Sequence, residues 1–342
     1  MNQDLKLSPE ALALTLLPTD VQRIAIENRE QWMGLRGQDI TASVAGALFQ
    51  EHQYATRYGL YLEKAGLAPP QEEVTPTVTE DSIVLPPILR GTLFEKTAIE
   101  MVRLLKPDWN VFAANNAYYR LPAARIGATP DVFASRPDLP GLGIIQVKTT
   151  DGLIFRKKWV NEDGEVEIPA WIAIQAIVEA KLTGASWACV ALMIGGINTE
   201  LKLFDIPIHD GVWARLVEEV GEFWRRVEER SPPEPDFARD GDLVRSTYAG
   251  DEGAEVDWSA DNRVPAILDE RAELKAVEKA GADAEKKRRV LEVELLAKLG
   301  TAAVGRAADG RVVRVKTIRV NRKPSPASTY TYPKFSIEGE AA

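Results

Sequence analysis

Apolar positions change their spacing twice along the chain. Up to Leu105 they recur mainly with a helical period. Residues 8–34 read as helical, with Val21, Ile24, Ala25 and Trp32 in step and Asp20 available as an N-cap. Short helices fit residues 41–49 and 56–65, the second closed by Gly66. Residues 68–89 are rich in Pro, Thr and Glu and read as an exposed loop. Residues 91–105 form a strong helical pattern, with Leu93, Phe94, Ala98, Met101, Val102 and Leu105 on one face, and Pro107 ends it.

The middle turns to short β-type runs at 111–112, 117–120, 126–128, 132–134 and 143–148, separated by Pro, Gly and Asn. A helix at 169–183, buried strands at 186–194 and 201–206, and a long amphipathic helix at 209–229 follow. Strands between helices indicate an α/β or α+β core. Residues 231–262, opening on Ser-Pro-Pro-Glu-Pro, have linker composition. Residues 264–299 predict a charged helix of roughly 50 Å. After it, Ala308-Asp309-Gly310 sits between two strand-like runs, a hairpin signal. The expected organisation is a core at 1–230, a linker at 231–262 and a tail at 263–342.

Composition narrows the chemistry. The 342 residues hold one cysteine and two histidines. A disulfide framework within the chain, a four-cysteine zinc or iron–sulfur site and a histidine-rich metal centre are therefore excluded. No apolar run is long enough to span a membrane, and the start carries no secretory pattern, so a cytoplasmic location is expected. The net charge of −9 argues against non-specific coating of nucleic acid but leaves room for a local basic groove. Residues 311–323 carry Arg311, Arg314, Lys316, Arg319, Arg322 and Lys323 without an acid, a surface for DNA or a partner.

The informative chemistry lies in Thr129-Pro130-Asp131 followed by Gly143-Ile144-Ile145-Gln146-Val147-Lys148. Alternation along a strand puts Gln146 and Lys148 on one face and Ile145 and Val147 on the other, toward the core. An aspartate, an amide and a lysine together suit metal-assisted phosphodiester hydrolysis: oxygen ligands hold a hard cation, and the lysine orients water or offsets developing charge. The plainer reading is a Pro-Asp turn and a strand with two polar side chains in solvent. Glu95 stands near a helix start, where the helix dipole alone would favour an acid. Arg36 precedes Ile40-Thr41-Ala42-Ser43, and its plain alternative is a pair with Asp39.

Taken in order, Trp32 to Ser43, Arg90 to Glu95, Thr129 to Asp131, Gln146 to Lys148 and Trp171 to Gln175 resemble the phage lambda exonuclease and YqaJ-like viral recombinase family, in the PD-(D/E)XK nuclease superfamily. The resemblance spans roughly residues 30–230. It implies an α/β fold with a restriction-endonuclease-like core, a mixed central sheet flanked by helices, followed by the long helix and hairpin. It implies a magnesium- or manganese-dependent exonuclease that digests linear double-stranded DNA from 5′ to 3′ in phage-type recombination. Asp131 would be a metal ligand, with Glu95, the Val147 carbonyl and Gln146, which stands where the family usually has Glu. Lys148 would be the catalytic lysine and Gln175 a contact to the scissile region. Arg36 and Ser43 would hold a terminal 5′-phosphate, with Thr129 a hydroxyl beside the aspartate. Partners would be duplex DNA ends and a single-strand annealing protein, in a ring-shaped homotrimer. Gln146 supplies no charge, which keeps open a non-catalytic DNA-binding or assembly protein. A structure-specific endonuclease of the same superfamily is the other rival.

Overall fold

The computed structural model describes residues 15–68, 74–114, 116–247, 263–299, 304–306 and 312–314. The chain divides into two compact units, Met1–Tyr248 and Ala249–Ala342.

The first unit opens with β1 (Gln22–Ala25), α1 (Arg29–Gln38), β2 (Ile40–Thr41), a 3-10 turn (Ala45–Phe49) and α2 (Arg57–Lys64). The expected helix over 8–34 is thus corrected within its described part. Residues 22–25 pair antiparallel with the strand at 117–120 instead, and the helix starts only after Asn28, whose side chain accepts from the Gln31 N–H. Three apolar residues in step did not distinguish helix from strand over so short a run. The helix expected at 41–49 is a two-residue strand and a 3-10 turn. The helix expected at 56–65 is α2, which Thr56 caps by accepting from the Gly59 N–H.

A small hairpin, β3 (Thr77–Val78) and β4 (Ile83–Val84), interrupts the expected loop, and α3 (Pro87–Leu105) follows. The helix begins four residues before the expected start at 91, because Pro87 takes the first helical position, where its missing N–H costs nothing. Only Ala98, Ile99 and Val102 of α3 are buried, whereas Leu93, Phe94 and Leu105 are exposed, so the apolar face is narrower than expected. Then come β5 (Asn110–Ala113), β6 (Ala117–Leu121), β7 (Ile126–Ala128), β8 (Val132–Arg136), β9 (Leu139–Asp151), α4 (Gly152–Lys158), α5 (Ala170–Thr183), β10 (Trp187–Gly195), β11 (Glu200–Ile206), α6 (Asp210–Glu228) and α7 (Gly241–Thr247). Arg156, Lys157 and Lys158 form the last turn of α4, which Asp151 caps through the N–H groups of Leu153 and Ile154.

The central sheet runs β11-β10-β9-β8-β5, with only β9 and β10 parallel. A parallel pair needs a crossover, and α4 and α5 supply it. Under α3, Ile145, Val147, Val132 and Ala191 form one apolar layer. On the other side, Ile144, Val190 and Leu192 pack with residues of α5 such as Ala176 and Ile177. Helices therefore cover both faces, and this mixed sheet flanked by helices is the α/β core expected. A second sheet, β1-β6-β7-β2, carries the region before Ser43.

Residues 231–247, read as linker, remain attached to the first unit. Asp240 is buried and accepts from the Thr56 hydroxyl at 2.5 Å and from the Asp236 N–H at 2.8 Å. Arg239 donates to the His52 carbonyl. Buried hydrogen bonds override a composition that suggests a linker.

In the second unit, α8 (Arg263–Leu299) matches the long charged helix. β12 (Val304–Arg306) and β13 (Val312–Arg314) pair antiparallel, and the expected turn at Ala308-Asp309-Gly310 lies outside the described residues. The rest of the basic run at 311–323 lies outside the described residues. Among those described, no helix is long and apolar enough to cross a membrane.

Candidate active site

The central strand β9 brings the polar pair into the interior rather than into solvent. Gln146 is only 3% exposed, which removes the plain reading of a solvated strand face. The reason is tertiary: α5 lies across the face that Gln146 and Lys148 share. Asp131 sits just before β8, whose Val132 pairs with Ile145 of β9. The Val147 N–H and the Gln146 side-chain amide N–H both donate to Asp131 Oδ2, the first at 3.0 Å.

From α5, Gln175 accepts a hydrogen bond from Lys148 Nζ at 2.8 Å through its Oε1. Its amide nitrogen donates to Gln146 Oε1 at 2.8 Å and to Glu179 Oε1 at 2.9 Å. Residues i and i+4 share a helix face, so Gln175 and Glu179 meet β9 together. Glu95 approaches from α3. It lies about two turns into that helix, beyond the reach of the N-terminal dipole, so the dipole does not account for it.

The electrostatics are those of several like charges around one lysine in a poorly solvated place. Burial pushes the Glu95 carboxyl up to about 7, the negative charge of Asp131 adds to this, and Lys148 and Lys96 oppose it. Asp131 is also raised by burial, against the pull of Lys148 and the two hydrogen bonds it accepts. Glu179 is raised by burial and by Asp131. Lys148 is lowered by burial, while Asp131, Glu179 and Glu95 hold it up. A lysine moved toward its neutral form by burial is suited to accept a proton.

Trp171, at the start of α5, supports Lys148 from the side. The ammonium lies 5.3 Å from the indole centroid, and the His52 ring lies 4.8 Å away on the same indole. Gly46 makes this possible, since a Cβ there would fall 2.6 Å from Trp171 Cβ. His52 Nδ1 accepts from the N–H groups of Tyr54 and Ala55. Its ring also bonds the Ser43 backbone, and burial lowers its pKa, so it is a neutral strut.

Ser43 leads to the second cluster. Arg36 Nη2 donates to Ser43 Oγ at 3.3 Å, and Ser43 Oγ lies 3.1 Å from Thr41 Oγ1. The guanidinium also stacks 4.6 Å from the Trp32 ring. Trp32 Nε1 donates to Thr129 Oγ1 at 3.0 Å, two residues before Asp131. The alternative partner for Arg36 is engaged elsewhere: Asp39, fully buried, accepts from Arg120 at 2.8 Å and from the Tyr118 hydroxyl at 3.1 Å. Among the described residues no carboxylate pairs with Arg36, and burial lowers its pKa. A partly buried guanidinium that donates to a hydroxyl, feels Glu63 only through space and forms no ion pair among the described residues suits an anion.

All the sequence-selected residues thus fall into two linked clusters: Glu95, Asp131, Gln146, Val147, Lys148 and Gln175 in one, Arg36, Ser43 and Thr129 in the other. Sequence reasoning missed Glu179. Its signal was an acid in the apolar run Ala176-Ile177-Val178-Glu179-Ala180, four residues after Gln175. It likewise missed the supporting places of Trp171 and His52.

The chain matches no protein-family model, and no curated protein matches its sequence. Solved structures that share part of its backbone course include the following. An alkaline exonuclease from Laribacter hongkongensis (LHK-Exo) is 16% identical, with a TM-score of 0.43 over 63% of this chain and 99% of its own. The same enzyme in complex with dAMP is 14% identical, with a TM-score of 0.40 and the same coverage. SSO0001 is 14% identical, with a TM-score of 0.28 over 54% of this chain and 76% of its own. At such values the chemistry has to be argued from the site itself.

The donor set for a divalent cation differs from the expected one at Gln146. Its nitrogen, not its oxygen, faces Asp131 and the Val147 carbonyl, and its oxygen is taken by Gln175. The expected ligand role of Gln146 therefore does not hold in this arrangement. Among the described residues no three His, Cys, Asp or Glu side chains are grouped to hold a metal. Asp131 Oδ1 and the Glu95 carboxylate are free of partners among the described residues. One carboxylate with an unengaged oxygen and a second carboxylate beside it suit magnesium, which is commonly held by one or two carboxylates, several waters and the substrate's phosphates.

Proposed function

We propose that this chain is a metal-dependent deoxyribonuclease that hydrolyses linear double-stranded DNA from its ends, in the 5′ to 3′ direction. The observation that carries the reading is the convergence of Asp131, Glu95 and Lys148 in one partly buried site, linked through Thr129 and Trp32 to Arg36, which forms no ion pair among the described residues. Asp131 and Glu95 would hold a magnesium or manganese ion. Such an ion neutralises phosphate charge and polarises water. Lys148, fixed by Gln175 and Trp171, orients the attacking water and accepts its proton. Arg36, Thr41 and Ser43 receive the terminal phosphate, whose charge exceeds that of an internal diester, and so set direction. A role in recombination beside a single-strand annealing protein, in an oligomeric ring, accompanies this reading.

The amide nitrogen of Gln146 beside Asp131 favours one second reading, a non-catalytic DNA-end-binding protein. Digestion of 5′-labelled linear duplex with and without Mg²⁺, beside a covalently closed circle, separates the two. Release of label from the linear duplex only, dependent on Mg²⁺ and lost in Asp131→Ala and Lys148→Ala, is expected. Cutting of the circle would make the protein an endonuclease. Binding without cleavage would leave the second reading.

A further inference from the structure

Glu179 is 1% exposed, and its Oε2 has no hydrogen-bond partner among the described residues. A carboxylate buried with an unused oxygen destabilises a fold relative to an apolar side chain of similar size. Packing therefore does not account for it. Among the described residues its carboxylate accepts one hydrogen bond, from the Gln175 amide nitrogen at 2.9 Å.

That amide has two orientations, related by exchange of its oxygen and nitrogen, and the surrounding network decides between them. In the observed one, Oε1 accepts from Lys148 Nζ, and Nε2 donates to Gln146 Oε1 and Glu179 Oε1. In the reverse, Nε2 would face the Lys148 nitrogen and Oε1 would face the Gln146 and Glu179 oxygens. Gln146 favours the observed direction too, because its own nitrogen donates to Asp131 Oδ2 and the Val147 carbonyl and so turns its oxygen toward Gln175. Glu179 supplies the other acceptor for the Gln175 nitrogen. Lys148 is the group being positioned, and Glu179 is the anchor on the helix that carries Gln175.

We propose that Glu179 is a positioning residue of the candidate active site, which holds the Gln175 amide so that its oxygen faces Lys148 and its nitrogen faces Gln146. The proposal rests on the nuclease reading for its consequence but on the hydrogen-bond network for its geometry. Glu179 touches neither substrate nor reacting atoms. Its removal takes one of two acceptors from the Gln175 nitrogen, loosens that amide and so loosens the hold of its oxygen on Lys148.

The test compares Glu179→Gln and Glu179→Leu with the parent. Gln retains an acceptor for the Gln175 nitrogen, and Leu does not. Glu179→Leu should lower kcat on the order of tenfold with KM for DNA unchanged, and Glu179→Gln should restore most of the loss. Equal kcat for the parent and Glu179→Leu, or equal damage in both variants, overturns the proposal. A measurement on the parent needs neither activity nor a variant. In a sample with ¹⁵N-labelled glutamine side chains, both Gln175 amide protons should exchange slowly with solvent. Exchange as fast as that of a solvated glutamine overturns the proposal even if DNA is cleaved. A parent that cleaves no DNA but shows a protected Gln175 amide removes the nuclease reading and leaves the positioning geometry in place.

Discussion

Replacing Glu95 by Gln should stabilise the metal-free protein above neutral pH. The carboxyl is raised from its ordinary value near 4.5 to about 7, first by burial and then by Asp131. A raised acid binds its proton more tightly in the folded than in the unfolded state. Stability is therefore greatest below about pH 4.5, falls as pH rises toward about 7, and stays lower above it. Fully realised, a shift of that size corresponds to roughly 3 kcal/mol. Glu95 is only half-buried, so solvent screening reduces this to about 1–2 kcal/mol. Glu95→Gln removes the charge while keeping the shape. Urea unfolding of both proteins in EDTA, at a series of pH values from about 4 to about 8.5, measures the effect. The variant should gain about 1–2 kcal/mol over the parent at the alkaline end, shrinking toward nothing at the acid end. A difference that does not change with pH, or one that favours the parent as pH rises, would refute the reasoning. With Mg²⁺ present the same group should make ion binding in the parent strengthen as pH rises through about 7, because the ligand must first ionise.

Arg36→Leu should remove most of the preference for 5′-phosphorylated over 5′-hydroxyl duplex ends. A charge-assisted contact of this kind is worth roughly 10- to 100-fold, and equal rates on both ends for the parent would dissolve the pocket. Gly46→Ala forces a methyl against Trp171 and should cost about 1–3 kcal/mol of stability in denaturant unfolding; a stability equal to the parent's would mean that the Trp171 seat is looser than its geometry.

Much of the element order was legible from local pattern. The strands from residue 110 to 206 and the helices α5 and α6 follow from β-type runs, helical periodicity, and Pro and Gly punctuation, which are properties of neighbouring residues. The beginning of the chain was misread at 22–25, because pairing with β6, nearly a hundred residues away, decided between strand and helix. The same physics governs the site. Asp131, Lys148 and Glu95 were singled out by residue type and order, and strand alternation put Gln146 and Lys148 on one face. That this face is covered by α5, not bathed in water, depended on the parallel β9–β10 pairing and its crossover. Burial then moved the ionisation of Glu95, Asp131 and Lys148. The direction of the Gln146 amide, the release of Arg36 from Asp39 and the entry of Glu179 into the cluster likewise depended on partners distant in sequence. Residue types and local periods determined which groups were present and which elements carried them. Their charge states, partners and orientations depended on desolvation and hydrogen bonds that exist only once those elements pack.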